Sequence, residues 1–259
     1  MDELISAALS EPDEDLAWDA VAALHWRGSD DVLDRAVQLC QSVCAVERRL
    51  GADILGQLGV PERTFPKKCL RILLEMLEAE RESQVLPAIL IASSHLKDSL
   101  AIGPVVRFRR HADSEVRYGV VFALMGHDIP QALQALIELT RDPEAHVRDW
   151  ATFSLGTQVE TDTPELRQAL AERLGDDDDD TRCEALVGLA RRGDERVLPA
   201  LHKELSSELV GTLAVEAAAL IGRPELHPVL VALESWWDVD KELLDEAIRA
   251  CSPRPKPMA

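Results

Sequence analysis

Apolar positions along this chain recur with a period near 3.6 rather than 2, so the sequence reads as a succession of amphipathic helices. In "PELRQALAERL", Leu166, Leu170 and Leu174 stand four apart with Ala169 beside them; in "ERVLPALHKEL", Leu198, Leu201 and Leu205 are spaced by three and four. A second type of stretch is more regular. "VRYGVVFALMG" from Val116, "VRDWATFSLG" from Val147, "TRCEALVGLA" from Thr181 and "LAVEAAALIG" from Leu213 share one template. It has an apolar or Thr anchor, often an Arg next, and small or apolar residues at +4, +7 and +8. Weaker copies begin at Leu16, Leu50, Val85 and Leu243, and successive anchors lie 30 to 35 residues apart. A period of that length holding two helices predicts an all-α solenoid, because neither helix of a pair can bury its stripe without the neighbouring pair. About eight antiparallel helix pairs are expected in a single array over residues 1–251, the first using Asp2 to Leu9 as its opening helix. The Pro-rich tail, residues 252–259, is expected to be disordered.

Composition agrees with helices. The chain of 259 residues is 46% hydrophobic but only 4% aromatic, so its core must be Leu, Ala and Val. Its formal charge is -19, which repels phosphate backbones and anionic lipid heads; nucleic acid and membrane surfaces are poor partners, and a basic protein is a good one. Five cysteines without a zinc-like spacing suit reduced thiols. The acidic N-terminus "MDELISAALS" is unlike a signal peptide, and no apolar run approaches the ~18 residues that span a bilayer. A soluble, cytoplasmic, monomeric protein with no cofactor is expected.

The unit "DPEAHVRDWATFSLG", with Asp142, Val147 and Arg148, resembles a HEAT repeat, closest to the short HEAT-like type named after phycobilisome lyases. The resemblance covers nearly the whole chain, strongly from Asp113 to Gly222. It implies an α-solenoid superhelix in which the Val-Arg helix of each pair lines the concave side. It also implies that Arg117, Arg148 and Arg182 bond aspartates of the preceding turns, supplied by Asp113, Asp142 and the run Asp176–Asp180. It implies no single activity, since scaffolds, inhibitors and enzymes share the fold.

With +4, +7 and +8 facing the core, positions +2, +3, +6 and +10 fall on the opposite side by 100° stepping. They hold Trp18, Asp19, Trp26, Asp53, Pro87, Ile91, His95, Tyr118, Phe122, Asp149, Trp150 and Phe153. Further on they hold Glu184, Arg191, Glu216, Arg223, Asp245, Glu246 and Arg249. Six of the ten aromatic residues stand on this stripe, among recurring carboxylates. The candidate partner-binding set is Trp18, Asp19, Trp26, Asp53, Tyr118, Phe122, Asp149, Trp150, Phe153, Glu184 and Glu216. Such a groove suits a cationic partner, whose Arg and Lys side chains pair with carboxylates and lie over rings. A register error of one residue would instead make the same rings core.

Other signals carry less. No HExxH, P-loop or GxSxG stretch occurs, and no candidate catalytic residue or metal ligand set emerges. The repeated His-Glu dipeptides of HEAT-like di-iron hydroxylases are missing. HEAT-like DNA glycosylases need a basic track that this charge does not supply. The basic island Arg107–His111, with Lys67, Lys68 and Arg71 nearby, suits a helix C-terminus. The five aspartates 176–180 fail as an EF-hand, whose sixth and twelfth positions would be Thr181 and Val187; Thr181 with Glu184, or Asp180, is expected to cap the next helix. The expected function is a non-catalytic scaffold or inhibitor, an immunity-type protein being one form, that captures a basic protein; the enzyme-class alternative is a bilin lyase or pigment chaperone.

Overall fold

The computed structural model describes residues 1–253, and the expected disorder of the tail falls mostly on residues 254–259, outside them. Among the described residues all regular structure is helical. Two compact units divide at His127 and Asp128. The first contains α1 (Asp2–Ser10), α2 (Glu14–Arg27), α3 (Asp30–Cys40), α4 (Ala45–Gln57), α5 (Pro66–Ala79), α6 (Leu86–Leu96), α7 (Ile102–Val106) and α8 (Ser114–Leu124). The second contains α9 (Pro130–Leu139), α10 (Ala145–Thr157), α11 (Pro164–Arg173), α12 (Asp179–Arg191), α13 (Leu198–Leu205), α14 (Thr212–Ile221), α15 (His227–Leu233) and α16 (Lys241–Ala250). Consecutive helices pack as pairs, four in each unit, which gives the eight pairs that the repeat predicts.

Within each unit the second helices of successive pairs pack closely, as α4 on α6 and α10 on α12 do, whereas the first helices barely meet. Small residues cause the difference. A Cβ on Gly188 would lie 2.7 Å from the Gly156 Cα, and one on Gly56 would lie 2.7 Å from the Ala92 Cα, so only glycine lets these backbones approach. The first helices meet their partners through Leu133, Leu136, Leu166, Leu170, Leu201 and Leu205, all buried. The second helices therefore form the tight inner row of each unit, and their outward faces carry the predicted stripe.

The anchors Val116, Val147 and Thr181 are fully buried, as the template requires. Leu16 has the right phase, since Ala20, Val21 and Leu24 are buried, but it is 55% exposed in the first pair. In α14 the buried face is Ala214, Ala217, Ala218 and Ile221 while Leu220 is 45% exposed, so the anchor is Ala214, one residue beyond Leu213.

The second repeat is registered by an arginine. Arg48 Nη1 donates to the carbonyls of Ser42 (3.1 Å) and Val43 (3.2 Å), six and five residues back. Arg117 does the same with His111 and Ala112, and Arg148 with Asp142 and Pro143. Arg182 repeats the first of these bonds, to Asp176 O at 2.7 Å. Each guanidinium ties down the loop that enters its own helix, satisfying carbonyls at a turn. Arg48 thus marks Glu47, not Leu50, as that repeat's anchor. The error of three residues leaves the helix face unchanged.

This corrects the expected Arg–Asp ladder for Arg148. The preceding turn contributes main-chain carbonyls, and the carboxylate comes from the following loop. Arg148 Nε and Nη2 donate to Asp176 Oδ2 (3.0 Å) and Oδ1 (2.7 Å), as Arg48 does to Glu80 Oε2 (2.7 Å) and Oε1 (3.0 Å). The aspartate run is thereby divided. Asp176, with only 4% of its side chain exposed, also accepts from Arg173 at 3.0 Å. Asp178, rather than Asp180 or Thr181, is the N-cap of α12, accepting from Thr181 N (2.9 Å) and Thr181 Oγ1 (2.7 Å). The helix starts three residues earlier than the capping-box reading and two earlier than an Asp180 cap, which puts Thr181 inside its first turn. Asp179 pairs with Arg182, while Asp177 and Asp180 are exposed.

A second arginine closes the inner row of the second unit. Arg192 donates to Gly156 O and Gly188 O (2.9 Å each) and to the carbonyls of Leu155, Val159 and Thr161. It joins the C-terminal ends of α10 and α12, whose last carbonyls lack helical partners.

Candidate functional surfaces on the inner helix rows

None of the eleven candidate partner-binding residues is buried: Trp18, Asp19 and Trp26 are exposed and the other eight are half-buried. The two units arrange them differently.

In the first unit Trp18 of α2, Asp53 of α4 and Tyr118 of α8 line one open cleft of about 920 Å³. Pro87, Ala88 and Ile91 of α6 contribute apolar lining, and Arg49, Arg81, Glu82, Asp113 and Glu115 contribute charge. Trp18 is 49% exposed and meets His25 edge-on at 6.1 Å between ring centroids. His25 is buried, and its Nε2 donates to the Asp53 carbonyl at 2.9 Å, fixing α2 against α4. Burial holds the His25 and His95 imidazoles below their ordinary pKa, with Arg63 opposing a second positive charge at both. The Asp53 carboxyl is pushed up to about 6 by burial, against the pull of Arg49, whose Nε lies 4.0 Å away. Phe122 does not line the cleft but packs on Tyr118 with centroids 4.8 Å apart. Asp19 and Trp26 also lie outside the lining, and Trp26 is 68% exposed.

In the second unit Asp149 of α10, Glu184 of α12 and Glu216 of α14 follow one another on the inner row. Burial pushes the Asp149 carboxyl up to about 6, with Asp180 and Asp178 adding repulsion. Burial pushes Glu184 up to about 7, with Asp149, Glu216 and Asp180 adding to it. None of these three carboxylates has an ion pair or side-chain hydrogen bond among the described residues, in contrast to Asp162, Asp176 and Asp194 on the loops and Glu204 at the end of α13. Trp150 and Phe153 meet edge-on beside them at 5.6 Å. Farther along the stripe, Arg223 is committed to Glu195 at 2.6 Å, and Asp245, Glu246 and Arg249 line a hollow of about 470 Å³.

Helical stepping did not reach the rim of the first cleft. Arg81, Glu82, Ser83 and Gln84 belong to the loop between α5 and α6, where no periodicity marks which residues face a cleft. The basic island behaves as a helix terminus: Arg109 Nη1 donates to Val106 O at 2.9 Å at the end of α7. Burial raises the Cys40, Cys69 and Cys183 thiols to about 12, 11 and 11, which suppresses thiolate chemistry. Among the described residues no three His, Cys, Asp or Glu converge as metal ligands, and no helix is long and apolar enough to cross a membrane.

Comparison with known proteins agrees with this architecture. A profile of HEAT repeats matches residues 104–187. Protein YibA of Escherichia coli, strain K12, is 30% identical over 235 residues, covering 87% of this chain and 81% of the relative, and the O157:H7 protein matches equally. The X-ray structure of the E. coli protein superposes with a TM-score of 0.79 at 27% identity, covering 96% of this chain and 91% of that one. Importin beta superposes with a TM-score of 0.61 at 14% identity, over 96% of this chain and 42% of its own, a likeness of fold alone. Repeat period, paired helices and relatives converge: the chain is a HEAT-repeat protein and belongs to the family of Escherichia coli YibA.

Proposed function

We propose that this protein is a non-catalytic binding scaffold that captures a basic segment of another protein on its inner helix rows. The observation that supports this reading is the row Asp149, Glu184 and Glu216. Carboxylates that are half-buried, mutually repelling and without a cation raise the energy of the folded chain. An incoming Arg or Lys relieves that repulsion, and the relief contributes to binding. The Trp150–Phe153 pair beside the row supplies rigid aromatic area, the usual material of interface anchors. The surrounding negative field speeds encounter with a basic partner, an effect that salt weakens.

The test is recovery of a partner from native lysate with the wild-type protein and with the Trp150→Ala, Phe153→Ala double variant. Both rings are half-buried on the outward face, so the variant should fold. Recovery of the same protein by the wild type and its loss with the variant supports the reading; equal recovery contradicts the assignment of this face.

A further inference from the structure

The cleft of the first unit points to a narrower chemistry. We propose that it is a receptor for one arginine side chain of the captured segment, with Trp18 of α2 as its aromatic wall and Asp53 of the adjoining α4 as its counter-ion. The proposal rests on the scaffold reading and names what this cleft would hold.

Three features combine here. The first is shape: an open cleft of about 920 Å³, large enough for a side chain and its flanking main chain, with Pro87, Ala88 and Ile91 among its apolar lining. The second is the pairing of a ring with a carboxylate. A guanidinium is planar and weakly hydrated, so it can lie over an indole or phenol face while its edge bonds a carboxylate; an ammonium does this less well. Asp53 is held for that role by its own backbone, because its carbonyl accepts from His25 and His25 in turn meets the Trp18 ring. The third is charge. The lining holds four carboxylates, Asp53, Glu82, Asp113 and Glu115, against two guanidiniums, Arg49 and Arg81.

The two arginines do not fill the site. Arg81 Nη1 is turned to the carbonyls of Glu78 (2.9 Å) and Glu80 (2.7 Å). Arg49 reaches Asp53 only at 4.0 Å, with 66% of its side chain exposed. It acts as a loose stand-in that a partner's arginine displaces. Removing it should therefore improve binding, an outcome that a merely structural Arg49 would not give.

The probe is a capped pentapeptide with one arginine between glycines, compared with the citrulline and lysine versions. The readout is the indole N–H resonance of Trp18, assigned with Trp18→Phe. The arginine peptide should shift it saturably in the millimolar range, ~1–10 mM, as suits one cation on one aromatic site. Citrulline should leave it nearly still, and lysine should bind more weakly. Asp53→Asn, which keeps shape, should weaken the response about tenfold, and Arg49→Ala should strengthen it about threefold. A motionless Trp18 resonance, an equal response to citrulline, or an Asp53→Asn variant that responds like wild type overturns the proposal. Neutralising Asp149, Glu184 and Glu216 should leave the Trp18 response intact. Failure of the cleft is thus distinguishable from failure of the scaffold reading, which the lysate experiment tests through the other face.

Discussion

The first unit carries a cleft in which one half-buried carboxylate stands among rings with an arginine at its edge. The second carries three carboxylates on successive helices with no cation, and its rings stand beside them. Both are built on the same frame: an arginine at the fourth position of the inner helix, tied to a carbonyl six residues back. In the first unit the half-buried acid, Asp53, follows its arginine by five residues; in the second that place holds Phe153, and the acid Asp149 adjoins Arg148. The repeat fixes which positions face outward, and the residue put there sets the chemistry. One frame can therefore hold a pocket for a single cation and an extended acidic face.

The largest expected effects test the shared frame. Leu170→Ala and Leu201→Ala remove fully buried side chains and should cost about 2–5 kcal/mol each in urea unfolding; losses under ~0.5 kcal/mol at both would overturn the assigned helix faces. The carboxylates that follow the arginines come next. Asp176→Ala strands Arg148 and Arg173, and Glu80→Ala strands Arg48. Each should cost about 2 kcal/mol, less than a fully buried pair because the guanidiniums keep some water. Similar losses in the two units are expected; a loss at only one would show that the frame is not shared.

A smaller effect separates the two surfaces by pH. The Asp149 and Glu184 carboxyls, raised from 3.8 to about 6 and from 4.5 to about 7, bind protons more tightly folded than unfolded. Their contribution to stability is full below pH ~4 and lost as pH rises through 6 to 7. Glu184→Gln should therefore raise stability at pH 8 by about 1 kcal/mol, after allowing for screening, and change little at pH 4. Thermal melts at the two pH values check this; a destabilised variant at pH 8 would contradict the unpaired state of the row. Asp53→Asn should behave alike but more weakly, since Arg49 already offsets part of its charge.

Much of this frame was legible in the sequence, because Val116, Val147 and Thr181 stand in stretches where only one phasing buries the apolar residues. The Leu213 stretch is nearly all Ala and Leu, so two phasings one residue apart look equally good, and packing selects Ala214. The apolar pattern places the Leu50 copy three residues late, yet three residues is almost one turn, and Asp53 keeps its face. The partner of Arg148 was not legible, since it depends on how the next loop returns, 28 residues on. The stripe showed which side chains point outward, but not that Trp18, Asp53 and Tyr118 share a cleft while Asp19 and Trp26 stand apart. That grouping needs three-dimensional stacking, and its loop rim has no period to read.

The central claim is tested most directly by titrating a deca-arginine peptide into two charge-matched variants by calorimetry at pH 8 and physiological salt. One is Asp149→Asn, Glu184→Gln, Glu216→Gln; the other neutralises the exposed Asp177, Glu208 and Glu225. Both remove the same charge from a chain of formal charge -19, so bulk attraction is equal. The inner-row variant should bind about tenfold more weakly than wild type, and the control within about twofold. Equal affinities for the two variants would contradict capture by this face.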